Sequence, residues 1–423
     1  MSSIAVAAPA AALALLKNPG LQRILTLIDG DGEEARLVGG ALRNALLDKP
    51  ATEFDIATTA TPEVVAARAQ AADLRAVPTG LAHGTVTVII DGHPFEVTSL
   101  REDIETDGRH AVVRFSRDFA ADAQRRDFTI NALSLSRAGV LYDYVGGLAD
   151  IAGTKLRFIG DPAERIKEDY LRILRFFRFS AGYAEGPLDA EGLLACIRAR
   201  EGLARLSRER IRNELMKLLA APRAGEVTRE FSQSGLLSPL IASAPDPQRL
   251  ERLLQFTAGE ERDPILNLAA LALNLPEDAH RLRDRLRLSN PEHQRLVRAA
   301  EALETLHGRD LPPDRQGLLK LLFLYGRRAA CDALILAAAA ARDEAAEWHA
   351  ALDFLRTAKE PRLPFSGDDL IARGIDSGKA VGEALKLLET RWIEAGYPEE
   401  PERLAELLDE VVPATREQGG GAR

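Results

Sequence analysis

Leu37-Val38-Gly39-Gly40-Ala41-Leu42-Arg43-Asn44, closed by Glu53-Phe54-Asp55, is the stretch from which the chain reads outward. An apolar run ends in two glycines. A Leu-rich helical pattern follows over Ala41–Asp48, and a second apolar stretch then carries carboxylates at i and i+2. Residues two apart on a strand share a face. Glu53 and Asp55 are therefore expected to project together, as holding a divalent metal near a phosphate requires. The glycines Gly39 and Gly40 let backbone N–H groups approach an anion at a helix start, and Arg43 lies one turn further in, within reach of the same anion. Each part alone has a plainer reading: a turn for the glycines, a solvated strand face for Glu-x-Asp. Together they point to phosphoryl or nucleotidyl transfer from a nucleoside triphosphate.

Composition sets the frame. With 423 residues, 46% hydrophobic and 28% charged, the chain has the make-up of an ordinary globular protein of more than one domain. Two cysteines, Cys196 and Cys331, show no CxxC spacing; they read as buried structural thiols in a reducing compartment, hence cytoplasmic. No apolar run approaches the length of a membrane span. Ser2–Leu16 is apolar and alanine-rich with no basic residue before Lys17, which reads as an arm or short helix rather than a signal peptide. A formal charge of −9 argues against a broadly basic, nucleic-acid-coating protein. From Lys155 to Lys217, however, 14 Lys and Arg stand against 10 Asp and Glu, a local basic track.

Residues 37–150 read as mixed α/β. Strands are expected at Ala35–Val38, Phe54–Ala57, Arg75–Val77, Gly84–Asp91, Phe95–Leu100, Asn131–Ser136 and Leu141–Tyr144, with a helix at Pro62–Ala72 opened by Thr61 and Pro62. Alternation through Thr85–Ile90 is a strong strand signal, and His93-Pro94 marks the turn of an expected hairpin over 84–100. Glu96, among Phe95, Val97 and Leu100, either faces solvent or supplies a third carboxylate if its strand abuts Asp55. The charge-rich run Arg101–Arg109 reads as a mobile loop or a surface connection. Arg125-Arg126-Asp127 then enters an apolar segment directly, and buried arginine calls for an anionic partner such as a triphosphate.

From about residue 160 the pattern is helical. One helix is expected from Asp161-Pro162 to about Ala181, carrying Asp169, Arg172, Arg175 and Arg178 at three-residue spacing along one stripe. That stripe is either a directed polar face or a salt-bridged surface. A second helix is capped by Ser207. Residues 220–423 are helical throughout, punctuated by prolines, with Glu360–Gly367 as a connector and Glu417–Arg423 as a disordered end. The seven histidines are scattered and form no metal motif; His83 and His110 read as hydrogen-bonding surface residues.

The motifs LVGGALRN…EFDIATTATPE, HGTVTV…FEVTSLRED, RRDFTINAL, EDYLRILRFFRF and LSRERIRNELMKLL, in that order over 37–219, resemble the class II tRNA nucleotidyltransferases (CCA-adding enzymes) and their bacterial poly(A) polymerase relatives. The resemblance implies an α+β architecture: an N-terminal arm and helix (1–34), a catalytic nucleotidyltransferase head of mixed β-sheet and helices (35–155), then an all-α neck that recognises the base (156–222), body (223–360) and tail (361–423). It implies that Glu53, Asp55 and Glu96 act in catalysis, Glu53 and Asp55 as ligands of Mg²⁺, and that Gly39, Gly40, Arg43, Arg125, Arg126, Asp127 and Asn131 bind the nucleotide. Asp169 and Arg172, with Arg175 and Arg178 nearby, match the residues that read the incoming base; arginine donates and carboxylate accepts, so the pair can address the Watson–Crick edges of cytosine and adenine. The segment 101–115 corresponds to the loop used in switching to ATP. Expected partners are tRNA, CTP and ATP, with no membrane and no obligate protein partner.

Two departures stand out: Glu53 occupies a position that is aspartate in the family, and Asn44 replaces the aspartate that follows the arginine. Three alternatives to CCA addition are an A-adding enzyme, a poly(A) polymerase, and a non-catalytic tRNA-binding protein with a degenerate site. The poly(A) branch is opposed by HGTVTV, where that branch carries a basic sequence.

Overall fold

The computed structural model describes residues 4–51, 53–80, 84–106, 111–341, 345–375 and 378–419. The chain forms two compact units, 1–240 and 241–423.

The first unit begins with β1 (Ile4–Ala7), α1 (Ala10–Leu15) and α2 (Pro19–Ile28). The expected arm is thus a strand and two helices. The strand forms because its backbone pairs antiparallel with the late strand at Val140–Asp143. The Asn18 side chain accepts from Leu21 N (2.9 Å), with Pro19 next, so α2 has a cap and a pre-set first residue. Its apolar stripe of Leu21, Ile24, Leu25 and Ile28 is fully buried. Next come β2 (Ala35–Val38), α3 (Gly40–Leu46), β3 (Asp55–Thr58), α4 (Pro62–Ala71), β4 (Arg75–Gly80), β5 (Thr85–Ile90) and β6 (His93–Ser99). The strand expected from Phe54 starts one residue later, which leaves Glu53 and Phe54 in the coil before it.

The β5–β6 turn is Asp91-Gly92, not His93-Pro94, which belong to β6. Asp91 (φ 50°) and Gly92 (φ 80°) both take positive φ, the signature of a two-residue Asp-Gly hairpin turn. Segment 101–115 is neither an irregular loop nor a plain connection but a two-stranded ribbon, β7 (Arg101–Thr106) paired with β8 (Ala111–Phe115). Residues 107–110 between the two strands and residues 81–83, including His110 and His83, lie outside the described residues.

After α5 (Phe119–Gln124), the strand expected over Asn131–Ser136 divides. Thr129–Asn131 is a 3₁₀ turn, and only Ser134–Ser136 (β9) is extended. The Asp127 carboxylate causes this by accepting from Phe128 N (2.8 Å) and Asn131 Nδ2 (3.0 Å), which curls the backbone. With β10 (Val140–Asp143) the sheet is complete in the order β1-β10-β9-β2-β3-β6-β5-β4. Its pairings are antiparallel except β3 with β6, where Asp55 lies opposite Glu96. Phe95 and Val97 are buried on either side of exposed Glu96, as alternation on a half-covered strand requires.

The helices α6 (Gly147–Ala152), α7 (Pro162–Glu168), α8 (Leu171–Tyr183), α9 (Ala190–Arg198) and α10 (Arg208–Leu219) follow. The single helix expected over 161–181 is two. Asp169 is extended (φ −151°, ψ 107°), and its Oδ1 accepts from Leu171 N (3.0 Å), so it caps a new helix instead of continuing the old one. Ser207 caps α10 through Arg210 N (3.3 Å).

The second unit is helical among its described residues. The longest element, Arg315–Ala340, is interrupted at Gly326, where φ is 76°. The connector before Gly367 is non-helical, yet its Leu363 and Phe365 pack on a core of Leu388, Trp392, Leu407 and Val411. The final helix, Pro401–Gly419, continues past the expected onset of disorder at Glu417; 420–423 lie outside the described residues. Among the described residues no helix is long and apolar enough to cross a membrane.

Candidate active site

β2 delivers the chain to Gly39, which takes φ 76°. A Cβ there would meet Asp55 Oδ2 at 3.1 Å and Arg126 Nη1 at 3.9 Å. Glycine is thus required twice over, by the backbone angle and by the close passage of that backbone past a carboxylate and a guanidinium. Asp55 is the first residue of β3, paired across to Val38 on one side and Glu96 on the other. Its register partner Glu96 lies directly across on the adjacent strand, so the two carboxylates rise side by side where β3 begins, at an acidic edge inside the eight-stranded sheet. Glu53 is exposed in the coil before β3 and lines the same cavity as Asp55 and Glu96. Desolvation foremost, then Glu96 and Glu53, pushes the Asp55 carboxyl above its ordinary range, against the pull of Arg126. Like charges held together in this way favour a bound cation.

Among the described residues no three His, Cys, Asp or Glu side chains converge as a metal cage. A pair of hard carboxylate oxygens beside an open space nonetheless suits a cation that takes its other ligands from water and phosphate. By that donor chemistry the residues fit a divalent metal.

A basic cluster adjoins this edge. Asp122, within α5, holds two arginines that follow it: Arg125 by its Nη2, and Arg126 through Nε and Nη2 (3.1 and 3.0 Å). Arg126 Nη1 also donates to Asn131 O (3.3 Å). Asp127 is buried and salt-bridged to Arg175 (2.5 Å). Burial works to raise its carboxyl, but Arg175 and the bonds from Asn131 and Phe128 outweigh it and hold the group below its usual range. Asn131 continues the chain, accepting from Arg43 Nη1 (2.6 Å).

Arg43 is 6% exposed. Its other donors meet Asn44 Oδ1 (2.7 Å) and Tyr183 OH (2.8 Å), and its guanidinium lies 3.9 Å over the Tyr183 ring. All three hydrogen-bond partners are neutral, so a buried cation is held in place without being neutralised by them. The guanidinium groups of Arg43, Arg175 and Arg178 all lie within 5.1 Å of the Phe179 ring centroid.

Asp169 and Arg172 stand further along the chain, Asp169 just after α7 and Arg172 in the first turn of α8. Asp169 Oδ2 accepts from Arg210 (2.7 Å), while Arg172 donates to Glu168 (2.6 Å), Arg165 O (2.8 Å) and Arg125 O (3.1 Å). Arg178 donates from Nη1 to both carboxylate oxygens of Glu214 (2.8 and 3.0 Å). The structure therefore brings Gly39, Asp55, Glu96 and Arg126 together, and joins Arg43, Asn131, Asp127 and Arg175 in one network. Asp169 and Arg172 are each engaged by other residues. Sequence reasoning did not single out Asp122, Tyr183, Arg210 and Glu214. Of these, Asp122 left a signal in its i,i+3 and i,i+4 spacing to the two arginines.

Comparison with known proteins adds the following. The family model described as the Poly A polymerase head domain matches residues 35–157, and the one described as the probable RNA and SrmB- binding site of polymerase A matches 188–247. The chain is 35% identical to "CCA tRNA nucleotidyltransferase 1, mitochondrial" of Danio rerio, over 93% of this chain and 91% of that protein. It is 32% identical to the "CCA-adding enzyme" of Limosilactobacillus fermentum, over 92% and 96%. Among solved structures, the CCA-adding enzyme of Bacillus stearothermophilus in complex with CTP superposes with a TM-score of 0.72 at 27% identity, covering 95% of this chain and 98% of that one.

Proposed function

The chain belongs to the CCA-adding tRNA nucleotidyltransferase family, and from that premise we propose how its acidic edge and its arginine network share the work. It is a nucleotidyltransferase that completes tRNA 3′ ends with CCA, using CTP and ATP. The enzymes of this family use divalent metal; we take Mg²⁺ as the ion, held by Asp55 and Glu96 with Glu53 beside them. When bound, the ion supplies charge stabilisation to the reacting oxygens and acidity to the attacking 3′-hydroxyl. The observation that carries this reading is the register of Asp55 with Glu96 on the parallel β3–β6 pair, beside the Gly39 backbone and Arg126.

The chain's own residues do the rest. Gly39 lets the backbone close on the triphosphate side of Asp55, and Asp122 holds Arg126 and Arg125 aimed at the phosphates. Arg43, pinned by Asn131, Asn44 and Tyr183, adds positive charge that its hydrogen-bond partners leave unspent. Asp127 fixes Arg175, and through Asn131 it fixes Arg43. Asp169 and Arg172 offer one acceptor and one donor to the base. Arg172 releases Glu168 in doing so, because its fork is occupied in the free protein. We assign 35–155 to the head, 156–222 to the neck, and 223–360 and 361–423 to a body and tail that hold tRNA. Free Cys196 and Cys331 suit a reducing compartment, and we place the enzyme in the cytoplasm.

The test is direct. Purified protein is incubated with Mg²⁺ and tRNA lacking its last three nucleotides, with CTP, ATP or both, and products are resolved at single-nucleotide length. Two additions with CTP and a third only when ATP joins establish CCA addition. Addition by ATP only to tRNA ending in CC, long ATP tails, or no product from folded protein each contradict it.

A further inference from the structure

Two histidines meet in the second unit. His280 lies in the helix Pro276–Leu286, and His293 in the helix Asn290–Glu304 that follows it. Arg287, at φ 51°, turns the chain between them. Across this hairpin His293 Nε2 stands 2.9 Å from His280 Nδ1, and Arg283 Nη1 stands 3.4 Å from His293 Nδ1. Arg283 is one turn beyond His280 on the same helical face, and its Nη2 donates to Asn290 Oδ1 (3.0 Å). His293 is 4% exposed, whereas His280 is exposed.

Hydrogen-bond counting fixes where the protons are. A guanidinium only donates. His293 Nδ1 therefore accepts and is bare, so the single proton of the neutral ring is on Nε2. That N–H donates to His280 Nδ1, which is bare in turn, and the His280 proton is on Nε2. The relay from Arg283 through His293 to His280 exists only while both rings are neutral. A proton added to His280 Nδ1 sets two N–H groups head to head. Relief by moving the His293 proton to Nδ1 sets an N–H against Arg283 instead. Either way a bond across the hairpin is lost and a second cation joins Arg283.

The charged and titratable groups that bear on His293 are Arg283, His280 and Asp284, all from the preceding helix. Burial foremost, then Arg283 and His280, holds its imidazole below the ordinary histidine value, against the pull of Asp284. The unfolded chain thus takes up the proton first. The stability that the neutral pair contributes is present above about pH 6.5 and lost as pH falls from there through the depressed value.

We propose that His280 and His293 form a proton-operated pin between these two helices. Closed at neutral pH and opened in mild acid, it makes this hairpin a pH-sensitive element of the second unit. The pin is independent of nucleotidyl transfer.

The test uses the full chain labelled with ¹⁵N in histidine, its resonances assigned with His280→Gln and His293→Gln. Long-range proton–nitrogen spectra at neutral pH are expected to show both rings protonated on Nε2 and bare on Nδ1, with His293 titrating below about 6.5. Thermal unfolding reads the contribution of the pin. Glutamine keeps a donor and an acceptor but does not titrate. Between neutral pH and about pH 5.5, the parent is expected to lose about 3 °C or more of Tm beyond the loss in the double variant His280→Gln/His293→Gln. Should the double variant not fold, the spectra of the parent decide alone. A proton on Nδ1 of either ring at neutral pH, titration of His293 at or above the ordinary value, or equal losses of Tm in parent and double variant overturn the pin.

Discussion

The carboxylate pair of β3 and β6 and the arginine network beside it are built on opposite electrostatic plans. At the edge, Asp55, Glu96 and Glu53 gather like charge, and among the described residues no hydrogen bond or ion pair holds the Asp55 carboxylate. In the arginine network most of the charges are matched internally: Asp127 with Arg175, Asp122 with Arg125 and Arg126, Glu214 with Arg178, Asp169 with Arg210. On the proposed division of work, the difference follows from what each must do. A small cation brings its own charge and needs only converging oxygens, so the protein leaves that place unbalanced. Long arginines must be fixed before a flexible triphosphate and a base arrive, and buried carboxylates fix them. Arg43 lies between the two plans: it is buried and oriented, but by neutral partners.

The strongest way to break this contrast is Asp55→Ala. If the edge is a cation site, single-turnover transfer falls about a thousandfold or more, worth several kcal/mol, while the far-UV spectrum and Tm stay near those of the parent. Unimpaired turnover would remove the metal assignment.

Asp127→Ala probes the other plan. It strands Arg175 and frees Asn131, so denaturant unfolding should show a loss of about 3–5 kcal/mol, and ATP and CTP binding should weaken together. Because the folded-state pKa of Asp127 lies below its ordinary value, its contribution is present above that value and lost as pH falls through the depressed one. The stability gap between parent and variant should therefore narrow under acid, below about pH 4. A gap independent of pH would contradict the pairing.

Arg172→Ala has a smaller and more selective effect. The ratio of correct to incorrect nucleotide incorporation should fall about tenfold to a hundredfold, with triphosphate affinity kept. Equal losses for all nucleotides would count against base reading. Arg210→Ala, which frees Asp169, should shift the same ratio by less.

Glu53→Asp carries the smallest expected change. Glu53 is exposed and precedes β3, so its shorter homologue should alter kcat within about threefold. A large gain would mark Glu53 as a handicap, and a large loss would mark a site tuned to glutamate.

Much of the first unit was legible because its signals are local. The glycine pair, the Thr85–Ile90 alternation and the Thr61-Pro62 helix start each sit within a few residues. The Asp91-Gly92 turn was legible too, but the neighbouring Pro94 was given the weight that the Asp-Gly pair deserved. The break at Asp169 was hidden because Ile166, Ile173 and Leu174 keep the i, i+7, i+8 spacing of one helical face, and one side-chain cap decides the matter. The tertiary partners left no trace of spacing: Arg210–Asp169, Glu214–Arg178 and Tyr183–Arg43 are separated by 41, 36 and 140 residues. Pattern reading found residues that the structure brings together and missed several that hold them in place.

The central claim is that the β3–β6 edge is left unbalanced for a divalent cation. Thermal unfolding of the parent and of Asp55→Asn, each with and without saturating Mg²⁺ and no nucleotide, tests it most directly. The account predicts that the variant without metal is as stable as the parent or slightly more so, since one like charge is gone. It predicts that Mg²⁺ raises the Tm of the parent and leaves that of the variant unchanged. An equal rise in both proteins, or a variant less stable than the parent without metal, would contradict it.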